Sequence, residues 1–135
     1  MKNPILTLLA SLMLTACAAS TPQAAREMGA DRRYVFAIDA DYQTAYRRIL
    51  EAARNCYQGQ VITATMLVNG DLYPDSRAGT VSVGMYGIAS SVYQVIDIQG
   101  LDGARSEIKA IFPVGPVEKM GAKVKGWATG TSAEC

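Results

Sequence analysis

Residues 42–56 read YQTAYRRILEAARNC, and the reading of this stretch decides the fold. Tyr42, Ala45, Tyr46, Ile49, Ala52, Ala53 and Cys56 recur at the spacing of a single helical face. Gln43, Thr44, Arg47, Arg48, Glu51, Arg54 and Asn55 occupy the opposite face. Either Asp39 or Asp41 can accept hydrogen bonds from the first amides of such a helix, and Gly59 stands where it should stop. A helix with one apolar stripe needs a second surface to bury it. The flanking sequence supplies that surface as strands.

Before the helix, Tyr34–Ile38 is a short run of strand formers. After it, Val61–Val68 predicts a strand, and Asn69-Gly70 carries the chemistry of a two-residue hairpin turn. Asp71–Tyr73 is a brief return that stops at Pro74, and residues 75–79 form a second turn. Residues 80–86 alternate, with Val81, Val83 and Met85 on one face. Residues 92–98 form another strand, residues 100–104 a turn, and residues 106–112 a final strand with Ile108, Ala110 and Phe112 on one side. Pro113 and Pro116 end the sheet, and Pro116 suits the first position of a last helix. In that helix Val117, Met120, Gly121, Val124, Trp127 and Ala128 share a face. Gly121 and Gly126 cost it about 1 kcal/mol each relative to alanine unless close packing requires them. The expected order is β-α-β-β-β-β-β-α. It defines a two-layer α+β domain in which an antiparallel meander of five to six strands is packed by two helices.

Composition bounds the chemistry. The chain has no histidine among its 135 residues, so His-based triads, His metal sites and His pH switches are excluded. It carries 13 basic and 12 acidic residues. Such a balance makes a poor nucleic-acid binder and gives no field to steer anions. No metal site, cofactor or catalytic residue is expected. Asp71, Asp75, Asp97, Asp102 and Glu107 are scattered and read as solvated acids. Gly121–Gly126 starts like a phosphate loop, but Trp127-Ala128 stands where Lys-Ser/Thr would be needed. Gly84–Gly87 reads as a bulge or bend in a strand. Tyr42 and Tyr46 read as core residues on the inward face of the first helix. Arg47, Arg48 and Arg54 are the candidate partner-facing basic surface, although Glu51 is spaced to neutralise Arg47 and Arg48.

The first residues place the protein. Lys2 supplies a positive start, Ile5–Leu14 an apolar core, and residues 16–19 are small. This is a secretory leader, too short for a stable membrane span. The segment Leu14-Thr15-Ala16-Cys17 resembles the lipobox of bacterial lipoproteins. The resemblance implies cleavage before Cys17, a lipid on its sulfur and, ordinarily, an acyl chain on its new amine. An Asp after the cysteine would imply retention in the inner membrane; Ala18 implies the periplasmic face of the outer membrane. Residues 1–16 are therefore the expected signal peptide, residues 17–33 a lipidated cysteine and flexible tether, and residues 34–135 one domain. Fully extended, the tether spans at most ~55 Å. With Cys17 lipidated, Cys56 and Cys135 remain, and in an oxidising compartment they read as one disulfide. The loop it closes, about 80 residues, corresponds to roughly 4 kcal/mol in the chain-entropy treatment.

The element order also loosely resembles helix-grip domains, such as those of the lipoprotein subunit of the outer-membrane β-barrel assembly machine, in which a terminal helix lies across a curved sheet. The resemblance rests on order and lipidation alone, and no functional residue comes with it. The expected protein is a non-catalytic, membrane-anchored lipoprotein with an envelope protein as partner. The alternative is a binder of a small apolar ligand, such as a lipid, in a groove between the sheet and the last helix.

Overall fold

The computed structural model describes residues 18–135. They form an α+β domain in the order α1 (Pro22–Met28), β1 (Arg33–Ile38), α2 (Tyr42–Tyr57), β2 (Gly59–Val61), β3 (Ala64–Tyr73), a 3₁₀ turn at Pro74–Ser76, β4 (Ala78–Tyr86), β5 (Ser91–Gly100), β6 (Ser106–Ile111) and α3 (Val117–Thr129). The six strands lie in one sheet, β1-β6-β5-β4-β3-β2, antiparallel throughout. Chain neighbours from β2 to β6 are sheet neighbours, so that stretch is a meander. The exception is α2, which carries the chain from β1 at one edge to β2 at the other.

The helical stripe read from the sequence is the buried one. Tyr42, Ala45, Ile49, Ala52 and Ala53 are buried, and Asp41 caps the helix by accepting from the amides of Gln43 and Thr44 at 3.0 and 3.1 Å. The helix lies over β3, β4 and β5. The last helix, α3, lies beside it over β1 and β6 rather than across the sheet centre. Between the two helices and the sheet sits one core, centred on Ile49, Val81, Val83, Ile96, Ile98, Ile108, Phe112, Val124 and Trp127. Gln94 is a buried polar residue on this face of the sheet: it pairs with Val83, and its Nε2 has no hydrogen-bond partner among the described residues.

Asn69-Gly70 is not a turn. Both residues sit in mid-ladder of β3, opposite Ser82 and Val81. The hairpin turn falls instead at Ile62-Thr63, between β2 and β3. The glycine serves packing. A Cβ on Gly70 would lie 2.5 Å from the Tyr46 hydroxyl and 2.8 Å from a Leu50 methyl, and one on Gly79 would lie 2.9 Å from the Tyr46 ring. Tyr46 therefore rests on a seat left by two missing side chains. Burial, and the charge of Asp71, push its phenol above its ordinary pKa. Gly121 does the same for α3, where a Cβ would come 2.2 Å from Tyr34 Cγ.

Cys56 and Cys135 are at disulfide distance, with their Cα atoms 5.3 Å apart. After α3 the tail reverses at Gly130 and runs back between the helices, where Trp127 Nε1 donates to the Glu134 carbonyl at 3.0 Å. The bond thus ties the chain's last residue to the final turn of α2.

Two stability outcomes follow from this geometry. Replacing Cys56 and Cys135 together by serine lowers the melting temperature by about 15 °C or more, the equivalent of roughly 4 kcal/mol for a domain of this size; an unchanged melt contradicts the staple. The second concerns acid. The Asp41 carboxyl is held below its ordinary pKa, first by the Thr44 hydroxyl, then by the Thr44 and Gln43 amides, with a smaller contribution from the charge of Arg47. A depressed carboxyl stabilises the fold above its unfolded pKa and loses that contribution as pH falls through the folded value. Asp41→Asn, which keeps a cap, therefore flattens the stability loss below about pH 4 in acid titrations monitored by circular dichroism.

Candidate functional site

The segment expected to be a flexible tether folds onto the outer face of the sheet, the face away from α2 and α3. Its helix α1 is only seven residues long, below the length at which a helix holds in isolation. Local signals start it and tertiary contacts keep it. The Thr21 side chain accepts from the Ala24 amide at 3.1 Å, Pro22 takes the first helical position, and Gly29 ends the helix. Ala19, Ala24 and Ala25 pack on Val92 and Val95 of β5. Val92 faces this way because β4 and β5 slip register: Val83 pairs with Gln94 but Gly84 with Val92, leaving Tyr93 as an extra residue. The irregularity expected around Gly84 is this bulge.

Polar contacts fasten the segment at both ends. The Val92 amide donates to the Ala19 carbonyl at 2.6 Å, joining the residues before α1 to the beginning of β5. Arg26 reaches Asp97 with two parallel bonds, Nε to Oδ2 at 2.9 Å and Nη2 to Oδ1 at 2.7 Å. Thr80 donates to the same carboxylate at 3.0 Å. The pair is about a third exposed on each side. Hydrogen bonding to Asp97 raises the Arg26 pKa, against the opposing effect of burial. Arg32 then donates to the carbonyls of Phe112 and Gly115, joining the segment to the loop before α3. Asp97, read from the sequence as one scattered acid among several, is thus the counter-ion of a docked helix.

The three arginines of the basic surface separate. Arg48 turns toward the end of α3 and donates to the Ala128 and Thr129 carbonyls at 3.3 and 3.4 Å, where a cation complements the helix terminus. Arg47 and Arg54 remain exposed beside Leu50, Glu51 and Asn55 around a shallow depression. Among the described residues neither stands within ion-pair distance of a carboxylate, so Glu51 does not neutralise Arg47. A second depression, of about 340 Å³, lies between α2 and the returning tail and is lined by Arg48, Glu51, Asn55, Trp127 and Ser132. The space between α3 and the sheet, the groove expected of an apolar-ligand binder, is filled by Tyr34 against Gly121 and by the buried Val124, Trp127 and Phe112.

Cys17, the candidate lipidation residue, lies outside the described residues, as does the leader before it. Its nearest described neighbours are Ala18, which is exposed, and the pinned Ala19. Among the described residues no helix is long and apolar enough to cross a membrane. No family model matches the chain, and no curated protein matches it.

The Arg26–Asp97 pair predicts a local effect. Arg26→Ala removes an interaction of about 1 kcal/mol from a partly exposed site, so protection of the Val92 and Ala25 amides against hydrogen exchange falls about fivefold. The core amides of β4 and β5 keep theirs. Equal protection in variant and parent means that the alanine packing alone holds the segment down.

Proposed function

We propose that this protein is a lipoprotein of the bacterial outer membrane, held by lipid on Cys17, whose periplasmic domain is a non-catalytic interaction module. The observation that carries the reading is the lipobox-like segment Leu14-Thr15-Ala16-Cys17 behind an apolar leader; the bond between Ala19 and Val92, two residues on, sets how closely the domain would follow such an anchor. Two residues reach at most about 7 Å, so a lipid on Cys17 would hold the folded domain close to the bilayer. Two or three acyl chains make such an anchorage effectively permanent, since each buried CH₂ contributes about 0.8 kcal/mol. The pairing of Cys56 with Cys135 suits the oxidising periplasm.

The absence of histidine and the engagement of Asp97 with Arg26 support a non-catalytic role. Asp71, Asp75, Asp102 and Glu107 are exposed on the surface, as solvated acids are. The filled interval under α3 speaks against the small apolar ligand. Arg47 and Arg54, exposed and unpaired among the described residues, are the surface assigned to an envelope protein with acidic groups.

The test is the chemistry of residue 17. The full chain, expressed with its own leader in a Gram-negative host and digested, should yield an amino-terminal peptide that begins at Cys17 and carries the mass of a diacylglyceryl thioether and an amide-linked acyl chain. Cys17→Ser should abolish both the lipid mass and retention in the membrane fraction after an alkaline wash. A mature chain that begins elsewhere, without lipid, ends the reading.

A further inference from the structure

The two ends of the sheet differ in their chemistry. At one end lie the turns at residues 39–41, 74–77 and 101–105, which carry Asp39, Asp41, Asp75, Arg77, Asp102 and Arg105. At the other end, where the chain enters at Ala19, the β2–β3 turn presents Ile62 and the β4–β5 loop presents Ile88, both fully exposed. The tips are neighbours, because a Cβ on Gly87 would lie 2.9 Å from the Thr63 carbonyl. Val61 beside them is 50% exposed, and Val114, in the loop between β6 and α3, is 55% exposed. Isoleucine at the tip of a hairpin turn has no local role, since turns favour Gly, Asn, Asp and Pro. The charged groups at this end of the sheet, Arg32, Arg33 and Lys119 against Asp31 and Glu118, leave an excess of a single positive charge.

We infer that Ile62 and Ile88, with Val61 and Val114 behind them, form an apolar foot that enters the interfacial layer of the bilayer to which Cys17 is anchored. The inference rests on the proposed anchorage of Cys17 and deepens it. Reach argues for the lipid as occupant. Cys17 is held within about 7 Å of Ala19, and Ala19 is bonded to Val92. β5 begins at Ser91, and Ile88 lies beyond it in the bend of residues 87–90 that joins β4 to β5. The tips therefore project from the same end of the sheet at which the anchored residue joins it. The headgroup layer is only about 5–7 Å thick on each side of the hydrocarbon, so a lipidated Cys17 brings both isoleucines to the depth of the acyl boundary. Tyr86 and Tyr93, at the ends of β4 and β5 just behind the tips, are half-buried and sit at the level where tyrosines favour the membrane interface. With only one charge in excess the foot selects apolar depth, and its insertion depends weakly on salt.

The experiment uses the full, processed chain in vesicles of phosphatidylethanolamine and phosphatidylglycerol with brominated acyl chains, which quench tryptophan on contact. Trp127 is buried in the core, only 2% exposed, and supplies a constant background. Ile88→Trp and Ile62→Trp place a reporter on the foot, and Tyr73→Trp places one at the opposite end of the sheet. Because both isoleucines are fully exposed, the substitutions leave the fold intact, which the unchanged Trp127 emission in detergent verifies. The expected result is that the foot reporters lose most of their emission in brominated vesicles, with little change between low and high salt, while the Tyr73→Trp reporter keeps its own. Protein that floats with the vesicles but shows equal, weak quenching at all three positions overturns the foot and leaves the anchorage standing. Foot reporters shielded in detergent by a second copy of the chain, with no quenching in vesicles, overturn it in favour of self-association. Protein that does not float with the vesicles overturns the anchorage, and the foot with it.

Discussion

The depth at which α2 lies on the sheet is the constraint on which the rest of the structure depends. Tyr46 is allowed to descend between β3 and β4 because positions 70 and 79 carry no side chain. That descent brings the small residues Ala45, Ala52 and Ala53 into full burial and lets Ile49 reach the valines of β4. A helix held higher would leave voids that alanines cannot fill, and close packing is what a domain of this size has to offer against chain entropy. The same device recurs at Gly121, where α3 comes down on Tyr34. The two helices then stand close enough for the tail to run between them and for Cys135 to meet Cys56.

What could be read from the chain, and what could not, divides along physical lines. The stripe of α2, the alternation of β4 and β6, the apolar face of α3 and the cysteine pairing were legible because each is a repeating pattern or an elimination, and α+β architecture follows from their order. Asn69-Gly70 misled because the local chemistry of a hairpin turn and the local chemistry of a close helix–sheet contact are the same two residues. Only the partner, Tyr46, distinguishes them, and it lies far away in sequence. Helix α1 was hidden for a different reason. Its alanines show no stripe over seven residues, and its stability comes from Val92, Val95 and Asp97. The cues at its ends, Thr21 before Pro22 and Gly29 after Met28, were nonetheless present in the sequence. The bulge at Tyr93 was partly legible in the glycines of β4, but its effect, turning Val92 outward, was not.

Helix α1 and the outward turn of Val92 share a location with the exposed isoleucines: the outer face and entry end of the sheet. The core obeys general rules of burial and periodicity, and sequence patterns report it well. The outer face depends on how the amino-terminal segment is spent. As a tether, the segment would leave Val92 and Val95 open and the domain free to drift from its point of attachment. Docked, it covers them with alanines, balances Asp97 with Arg26 and sets the sheet in a definite relation to the chain's entry point.

The bond between Cys56 and Cys135 also has a mechanical meaning. It closes everything from the end of α2 to the last residue into a covalent ring that contains β2–β6 and α3. A pull on the amino terminus cannot lengthen that ring. It loads only α1, β1 and α2. Of these, α1 peels first, being held by alanine contacts and one ion pair. The force then reaches β1, which is bonded along its length to β6, with Arg33 opposite Ile111 and Ile38 opposite Ser106. Tension along β1 shears all of those hydrogen bonds together instead of opening them one by one. The domain is built to yield a short, recoverable length at its entry and to resist beyond it.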